Sequence, residues 1–263
     1  MQRIAVGLAS VIALASIGAA QAAAPAPVAV WSWTGPYIGL NIGYSWGYAS
    51  NSETLTNGNG FVLFTDSGSP HMDGVIGGGQ IGYNWQVSNW VWGLEADIQG
   101  SGQKGPTRDF VCPAGICTSL VTSGEGVPVF GPALTGSFEQ KLNWFDTLRA
   151  RAGLLVTPTV LAYVTGGLAY GEIESNLVLA TPTTAAAFSQ SATHAGWTVG
   201  VGIEGRIVGN WTAKVEYLYI DLGSISNAFT TTIPAFGGGF IGVASSTNKV
   251  TDNIVRVGVN YKF

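Results

Sequence analysis

The chain has 263 residues, and its 15 acidic and 11 basic side chains give a formal net charge of −4. Apolar residues make up 46% and charged residues only 10%, which excludes a disordered chain because disorder requires low hydrophobicity and high charge. The acidic excess argues against nucleic acid as a partner, and two cysteines are too few for a disulfide scaffold.

The N-terminus has the pattern of a secretory signal peptide, predicted to cover residues 1–22. Arg3 supplies the positive charge, an apolar Ala-rich segment follows, and Ala20-Gln21-Ala22 forms an A-x-A site with cleavage after Ala22. A transmembrane anchor is the weaker alternative, because Ala/Pro repeats follow instead of a stop-transfer flank. Residues 23–34 then form an Ala/Pro segment ahead of a predicted domain that covers residues 35–263.

The remaining sequence contains no second run of 18 apolar residues, so it predicts no spanning helix. An exported chain this apolar fits either a secreted all-β domain or a closed outer-membrane barrel. The closed barrel is the only non-helical structure that satisfies its backbone hydrogen bonds in lipid.

Apolar residues alternate with polar residues or glycine at a period of two, which is typical of β-strands. The alternation is clearest over residues 37–48, where Ile38, Leu40 and Ile42 face away from the residues between them. It recurs over residues 81–87, 90–99, 142–155, 197–207, 211–219 and 255–263, and residues 160–171 form a Gly-rich strand whose faces the pattern does not assign. Eight strands of about ten residues match the length that a tilted strand needs to cross a bilayer.

The predicted connections alternate between short turns and long loops. Tight turns are expected at Ser88-Asn89, around Pro158 and around Gly209, and long polar loops at about 49–74, 102–138, 172–194 and 223–250. Short periplasmic turns and long extracellular loops are typical of outer-membrane barrels. The predicted fold is therefore an all-β, eight-stranded antiparallel up-and-down transmembrane β-barrel.

The charged face of each strand is predicted to point into the barrel, because Arg or Lys at the bilayer midplane costs about 2–4 kcal/mol. A turn centred on Gly209 places Glu204 opposite Lys214. Eight strands enclose room only for side chains, so a plug of paired charges is favoured over a pore, which stays the alternative. The predicted lumen residues are Glu95, Asp97, Arg149, Arg151, Glu204, Arg206, Lys214, Glu216, Arg256 and Lys262.

Aromatic residues near the strand ends predict two interfacial girdles. The lower girdle is predicted to contain Trp33, Tyr37, Trp85, Trp90, Trp211, Tyr261 and Phe263, and the upper girdle Tyr44, Trp46, Tyr48, Trp144, Trp197, Tyr217 and Tyr219. Asp146 interrupts the outward apolar set of its strand. It is expected at the outer headgroup level or at a local bulge.

The chain ends on the pattern Arg256-x-Gly258-x-x-Tyr261-x-Phe263. The edge of a terminal strand offers unpaired backbone groups to which a partner strand can be added. The pattern resembles the assembly signal by which the barrel-assembly machinery recognises outer-membrane barrels.

The cysteines and histidines offer weaker signals. Cys112 and Cys117 share one outer loop, where oxidising surroundings favour a disulfide. His71 and His194 are weak candidates for haem or metal ligands, or for a rim catalytic site with neighbouring Ser and Asp residues. No motif fixes such a geometry, so no cofactor, metal or catalytic residue is predicted and the chain is not expected to be an enzyme.

Four segments resemble the small outer-membrane immunogenic porin-family barrels of Gram-negative bacteria, which are similar to OmpA/OmpX-type barrels. They are residues 33–44 (WTGPYIGLNIGY), 149–153 (RARAG), 165–171 (TGGLAYG) and 261–263 (YKF). The resemblance implies an abundant surface protein with a structural, antigenic or small-pore role, and implies haem binding for some members of the family. The sequence is interpreted as a monomeric surface protein with a structural, envelope-integrity and surface-interaction role, in contact with outer-membrane lipid and lipopolysaccharide. A small porin, a haem- or ligand-binding protein and a rim-located enzyme remain alternatives.

Overall fold

The structure is a computed structural model, and it describes residues 31–57, 62–112, 121–122, 128–129, 133–180, 182, 185–233 and 240–263. A compact unit extends from Ser32 to Phe263. The predicted signal peptide at 1–22, its cleavage site at Ala22 and most of the Ala/Pro segment at 23–34 lie outside the described residues.

The described part of the chain contains twelve strands. In chain order they are β1 (Gly35–Asn57), β2 (Val62–Gly68), β3 (His71–Val87), β4 (Trp90–Lys104), β5 (Arg108–Cys112), β6 (Val121–Thr122), β7 (Pro128–Val129), β8 (Leu134–Thr157), β9 (Val160–Ala180), β10 (Ala185–Val208), β11 (Trp211–Ile233) and β12 (Phe240–Lys262). Within these residues no helix is long and apolar enough to cross a membrane.

Eight of these strands form a closed antiparallel ring. Neighbours follow the order β1-β3-β4-β8-β9-β10-β11-β12, and β12 then pairs with β1, from Tyr37 opposite Lys262 to Asn57 opposite Gly242. The predicted eight-stranded barrel is confirmed. Of the four other strands, β2 pairs with β1, β5 pairs with β8, and β6 pairs with β7 as a separate two-stranded sheet.

The three predicted tight turns are confirmed at Ser88-Asn89, Pro158-Thr159 and Gly209-Asn210. Ser88 and Gly209 adopt φ angles of 56° and 54°, which is the left-handed conformation that tight hairpin turns use. The turn at Gly209 sets the register between β10 and β11.

The strands extend further than the sequence predicted. Among the wall strands, β4 contains 15 residues and β8 contains 24. The predicted loops at 49–74, 102–138, 172–194 and 223–250 are therefore partly strand. The ladder of β1 and β12 continues without interruption to Asn57. Beyond the lipid both faces of a strand meet polar surroundings, so the apolar alternation fades while backbone pairing continues.

Side chains alternate between the two sides of the wall as predicted. Leu40 is 68% exposed on the outside, while Asn41 and Ser45 are buried inside. In the Gly-rich strand β9, whose faces the sequence did not assign, Tyr163 and Thr165 point inward, and the intervening residues point outward.

Glycine makes room for two inward tyrosine rings. A Cβ added at Gly82 would overlap the Tyr37 ring, and one added at Gly202 would overlap the Tyr163 ring. Gly82 and Gly202 lie opposite these tyrosines on the neighbouring strand, so each ring can lie over a glycine where any side chain would block it.

Candidate functional site

Eight charged side chains meet inside the barrel, and we call this group the charge cluster. Each is between 1% and 6% exposed, and four acids face four bases. The members are Glu95 and Asp97 on β4, Arg149 and Arg151 on β8, Glu204 on β10, Lys214 and Glu216 on β11, and Arg256 on β12. Equal numbers of opposite charges remove the cost of an unpaired buried ion.

Arg149 is the centre of the charge cluster. Its guanidinium donates hydrogen bonds to Glu95, to Asp97 Oδ2 at 2.8 Å and to Glu216 Oε1 at 3.1 Å. Arg256 donates from Nε to Glu216 Oε2 at 2.7 Å and from Nη2 to Asp97 Oδ2 at 3.0 Å. Two arginines therefore tie β8 and β12 to carboxylates on β4 and β11.

Arg151 and Lys214 complete the network nearer the periplasmic end. Arg151 Nη2 donates to Glu204 Oε2 at 2.7 Å, and its guanidinium carbon lies 4.1 Å from the centroid of the Tyr163 ring. Lys214 Nζ donates to both carboxylate oxygens of Glu95, at 3.0 and 3.1 Å. Stacking on an aromatic face is a further stabilising contact for a guanidinium.

Neutral side chains saturate the remaining carboxylate positions. The hydroxyl groups of Tyr37 and Tyr163 donate to Glu95 Oε2 at 2.7 Å and to Glu216 Oε1 at 2.9 Å. Glu204 Oε1 accepts from Thr212 and Asn260, at 2.6 and 2.8 Å. The sequence pattern did not predict these partners. Tyr37 is two residues before the inward-facing Gly39 and therefore lies on the same face of β1.

The register across the Gly209 turn is as predicted, with Glu204 opposite Lys214 and Gly202 opposite Glu216. Glu204 and Lys214 do not form an ion pair with each other, because Glu204 pairs with Arg151 and Lys214 with Glu95. Two other ion pairs do join residues opposite each other on neighbouring strands, Glu95 with Arg149 and Glu216 with Arg256. The long inward side chains converge on the barrel axis and therefore reach partners both on the next strand and across the ring.

Arg206 and Lys262 do not join the charge cluster, which corrects the prediction. Arg206 is exposed, and its Nε donates to the carbonyl oxygen of Gly209 at 2.8 Å in the periplasmic turn. Lys262, at the end of β12, is half-buried. Both residues occupy positions that alternate onto the inward face of their strands. They lie at the strand ends, however, where a long side chain can extend out of the barrel into solvent.

Trp33 closes the periplasmic mouth and is not a girdle residue as predicted. It is 1% exposed, its backbone N donates to Gln86 Oε1 at 2.8 Å, and its Nε1 donates to the carbonyl oxygen of Pro158 at 3.2 Å. Pro158 lies in the β8–β9 turn on the far side of the ring from β1. Tyr37 likewise points inward, so it too is absent from the lower girdle.

An apolar layer fills the barrel on the extracellular side of the charge cluster. The sequence analysis predicted only polar groups in the lumen, so this layer is a correction. The sequence does indicate this layer over residues 217–222, where apolar residues occupy both the inward and the outward face of β11. The layer consists of Ala49, Met72, Ile76, Leu142, Phe145, Ala169, Ile173, Leu218, Ile220, Leu222, Val250 and Ile254.

Asp252 is a fifth buried acid, and no ion pair reaches it from the residues that the structure describes. Its Oδ2 accepts from Ser45 Oγ at 2.5 Å and from Gln103 Nε2 at 3.1 Å, while Oδ1 accepts no hydrogen bond from the described residues. It is 2% exposed and lies among the apolar layer on β12. An isolated carboxylate at such a place is costly.

Replacing Asp252 with asparagine is expected to leave the barrel as stable as the wild type or up to about 1 kcal/mol more stable. The amide oxygen still accepts from Ser45 and Gln103, and the buried charge is removed. Urea unfolding in lipid vesicles, followed by tryptophan fluorescence, measures the difference. The matched control is Asp97→Asn, which removes a paired charge and should destabilise. A loss greater than about 1 kcal/mol in Asp252→Asn would contradict the expectation.

The two histidines do not form a common site. His71 lies exposed on β3, where its ring is 4.4 Å from the Tyr48 ring centroid, while His194 is buried and points inward from β10. Burial lowers the pKa of His194, which lies beyond the upper girdle. Because β3 and β10 stand on opposite sides of the ring, the predicted histidine pair is not assembled.

Metal ligation finds no support within the described ranges, where no group of three or more His, Cys, Asp or Glu side chains could hold an ion. Cys112 ends β5, and Cys117 lies outside the described residues. The disulfide between them stays a prediction.

Other aromatic residues lie on the outside of the barrel wall, near its upper and lower ends. Outward rings at the lower end include Trp211 and Tyr261, whose centroids are 5.1 Å apart, and at the upper end Trp197 and Tyr219 at 5.5 Å. Asp146 is half-buried opposite Tyr170, at the level of the upper rings and close to a bulge in β8.

The C-terminal pattern divides between the two faces of β12. Arg256 belongs to the charge cluster and Gly258 lies between Asn41 and Lys214, while the Tyr261 and Phe263 rings are 5.2 Å apart. β12 is paired on both edges in the closed ring. Recognition of this strand by the barrel-assembly machinery stays a prediction.

Comparison with known proteins gives consistent matches. A family model described as an outer membrane protein beta-barrel domain matches residues 10–263. The chain is 37% identical over 244 residues to the 31 kDa outer-membrane immunogenic protein of Brucella melitensis, covering 90% of this chain and 87% of that protein. It is 28% identical over 242 residues to the 25 kDa outer-membrane immunogenic protein of Brucella abortus, covering 91% and 84%. The solved structure of the outer membrane protein OprG from Pseudomonas aeruginosa matches with a TM-score of 0.44 at 11% identity, covering 88% of this chain and 97% of that chain.

Proposed function

The chain belongs to the outer-membrane protein β-barrel domain family, and from this premise we propose that it is a closed, non-conducting barrel that holds extracellular strands at the cell surface. As an outer-membrane protein it has its long connections on the exterior. Its role is structural: it contributes to the integrity of the envelope and presents a surface for contacts outside the cell.

The observation that carries this proposal is that buried side chains lie in the lumen at three successive levels. Trp33 covers the periplasmic mouth, the charge cluster follows, and the apolar layer lies on the extracellular side of the charge cluster. Eight strands enclose room only for side chains, so a path for solutes would require these groups to move.

The charge cluster also supports a structural role. Its hydrogen bonds connect β4, β8, β10, β11 and β12, and each acid has at least one basic partner within the barrel. Moving one member away from the others would leave a buried charge without compensation, which is strongly unfavourable. A wall held in this way is a rigid support for the strands that it carries outward.

The proposal includes the surroundings of the barrel. The outward apolar band and the aromatic rings fit outer-membrane lipid and lipopolysaccharide, and the C-terminal strand fits recognition by the barrel-assembly machinery before closure. We propose that the barrel acts without catalysis, since the two rim histidines stand on opposite walls. We also propose that the barrel itself is a monomer in the membrane.

Planar-bilayer recording tests the closed barrel. The purified protein is expected to show no stable stepwise openings, because the charge cluster and the apolar layer block the lumen independently. The Trp33→Ala variant is expected to stay closed for the same reason, although its periplasmic mouth is uncovered. Stable openings of the wild type would contradict the proposal and favour the small porin. A general porin reconstituted in parallel is the positive control.

A further inference from the structure

The ring of the barrel opens on its extracellular side between β10 and β11. Pairing of these two strands ends at Trp197 opposite Asp221. Both strands nevertheless continue, β10 from Ala185 and β11 to Ile233. In the described part of the chain, residues 185–196 pair only with β9, and the continuation of β11 pairs only with β12, over residues 224–233.

The separation is built into the backbone at this point. Gly223 has a φ angle of 73°, its N donates to Asp221 Oδ1 at 2.8 Å, and the register with β12 shifts between Asp221 and Ser224. A left-handed glycine within a register shift bends a strand and increases its twist. On β10, a Cβ at Gly196 would collide with the carbonyl oxygen of Asp221. The close approach and the bend together end the ladder.

The two unpaired edges lack the features that normally protect an exposed strand. Residues 185–196 (AAAFSQSATHAG) and 222–233 (LGSISNAFTTTI) contain no Asp, Glu, Lys, Arg or Pro. Natural edge strands are commonly blunted by charge, by proline or by shortness. The short outer strands follow that rule, since β2 carries Asp66 and β5 carries Arg108 and Asp109. Only the pair of edges at the β10–β11 gap is both long and uncharged among the described extracellular strands.

We propose that the β10–β11 gap is a docking site for an extended, uncharged polypeptide segment of a partner outside the cell, bound as an added strand. The proposal deepens the surface-interaction role proposed above, and rests on it for the outward position of the gap. Each edge presents backbone N–H and C=O groups whose only full complement is another extended strand.

The character of the partner follows from the edges. The outward positions Ser189, Ser191 and Thr193 on β10 are exposed and small. Cross-strand pairs of hydroxyl and β-branched residues are favourable, whereas neither edge offers a charge to compensate one on the partner. A segment rich in Ser, Thr and small or β-branched residues therefore fits better than a charged one. Because β10 and β11 run in opposite directions, the added strand pairs antiparallel with one of them.

The test uses the full-length barrel in lipid vesicles and a fluorescent peptide with the sequence of residues 222–233. This peptide has no charged side chain. Bound to the free edge of β10, it would extend the antiparallel pairing that β10 and β11 make up to Trp197 and Asp221. We expect saturable binding. The Ser189→Lys/Ser191→Lys variant is expected to weaken binding by about tenfold or more, because lysine on an edge opposes strand addition.

The control variant is Ser50→Lys/Ser52→Lys, which places the same two charges at exposed positions on β1, a strand with neighbours on both sides. It should bind the peptide as the wild type does. The heat-dependent mobility of each variant in gel electrophoresis establishes that the barrel is folded. A peptide with prolines at the positions of Ser226, Ala228 and Thr230 should not bind.

Three results would overturn the proposal: no binding to the folded wild type, equal binding to the lysine variant, or equal binding of the proline peptide. Edge-dependent dimers of the wild type, seen by cross-linking in vesicles, would also overturn it by assigning the gap to a second copy of this chain. Channel recordings are independent of these outcomes, so a failure here is distinguishable from failure of the closed-barrel proposal.

Discussion

Replacing Arg149 with methionine is expected to lower the free energy of unfolding of the barrel by about 3–5 kcal/mol. The side chain is 1% exposed and bonds to three carboxylates, which would be left with a net excess of negative charge. Methionine has a similar length and fills the space, so the loss reports charge and hydrogen bonding more than volume. Urea titration of the protein in lipid vesicles measures the change.

The matched control for Arg149 is Arg206→Met. Arg206 is an exposed arginine at the periplasmic turn, so its replacement is expected to change stability by less than about 0.5 kcal/mol. Adding Glu216→Gln to Arg149→Met should restore part of the loss, because the charge cluster is then neutral again. Equal stability of Arg149→Met and Arg206→Met would show that the charge cluster does not hold the wall together.

Replacing Leu40 with arginine is expected to cost about 2–4 kcal/mol in a bilayer, which is the range for a basic residue at the midplane of an outer-membrane barrel. Leu40 is 68% exposed on the outer face of β1, between Ile38 and Ile42, and therefore faces hydrocarbon. The measurement is again unfolding from vesicles, with the fraction of folded barrel read from the tryptophan fluorescence.

Ser52→Arg provides the control on the same strand and the same face. Ser52 is exposed and lies twelve residues further along β1, beyond the upper aromatic rings, so arginine there meets water or headgroups. Its expected cost is close to zero. If the two substitutions cost the same, the outward apolar band does not face lipid and the assignment of the two faces is wrong.

Local sequence features determined much of this protein. Alternation at a period of two predicted the wall strands and the outward faces of all of them except the Gly-rich strand β9, because a strand places successive side chains on opposite sides. Turn residues such as Gly209 predicted the sharp connections and the register that sets Glu204 opposite Lys214. The composition of the inward positions also predicted a charged lumen. Each of these inferences needs only residues that are close together in the chain.

The sequence did not determine depth along the barrel. Arg206 and Glu204 have the same parity, yet one reaches solvent at the turn and the other is buried. Trp33 and Tyr37 looked like lipid-facing aromatics, and both are inside. The length of the strands beyond the bilayer was underestimated because polar extracellular strands have no apolar alternation to reveal them.

Only the closed ring decided which interior groups of non-neighbouring strands meet. Arg149 donates a hydrogen bond to Glu216, and Arg151 donates one to Glu204. In neither pair do the two residues come from neighbouring strands. The tilt and stagger of the strands set the height at which each inward side chain enters the lumen. That height, the apolar layer above the charge cluster and the gap between β10 and β11 arise from contacts between residues far apart in the chain, which a period or a turn does not encode.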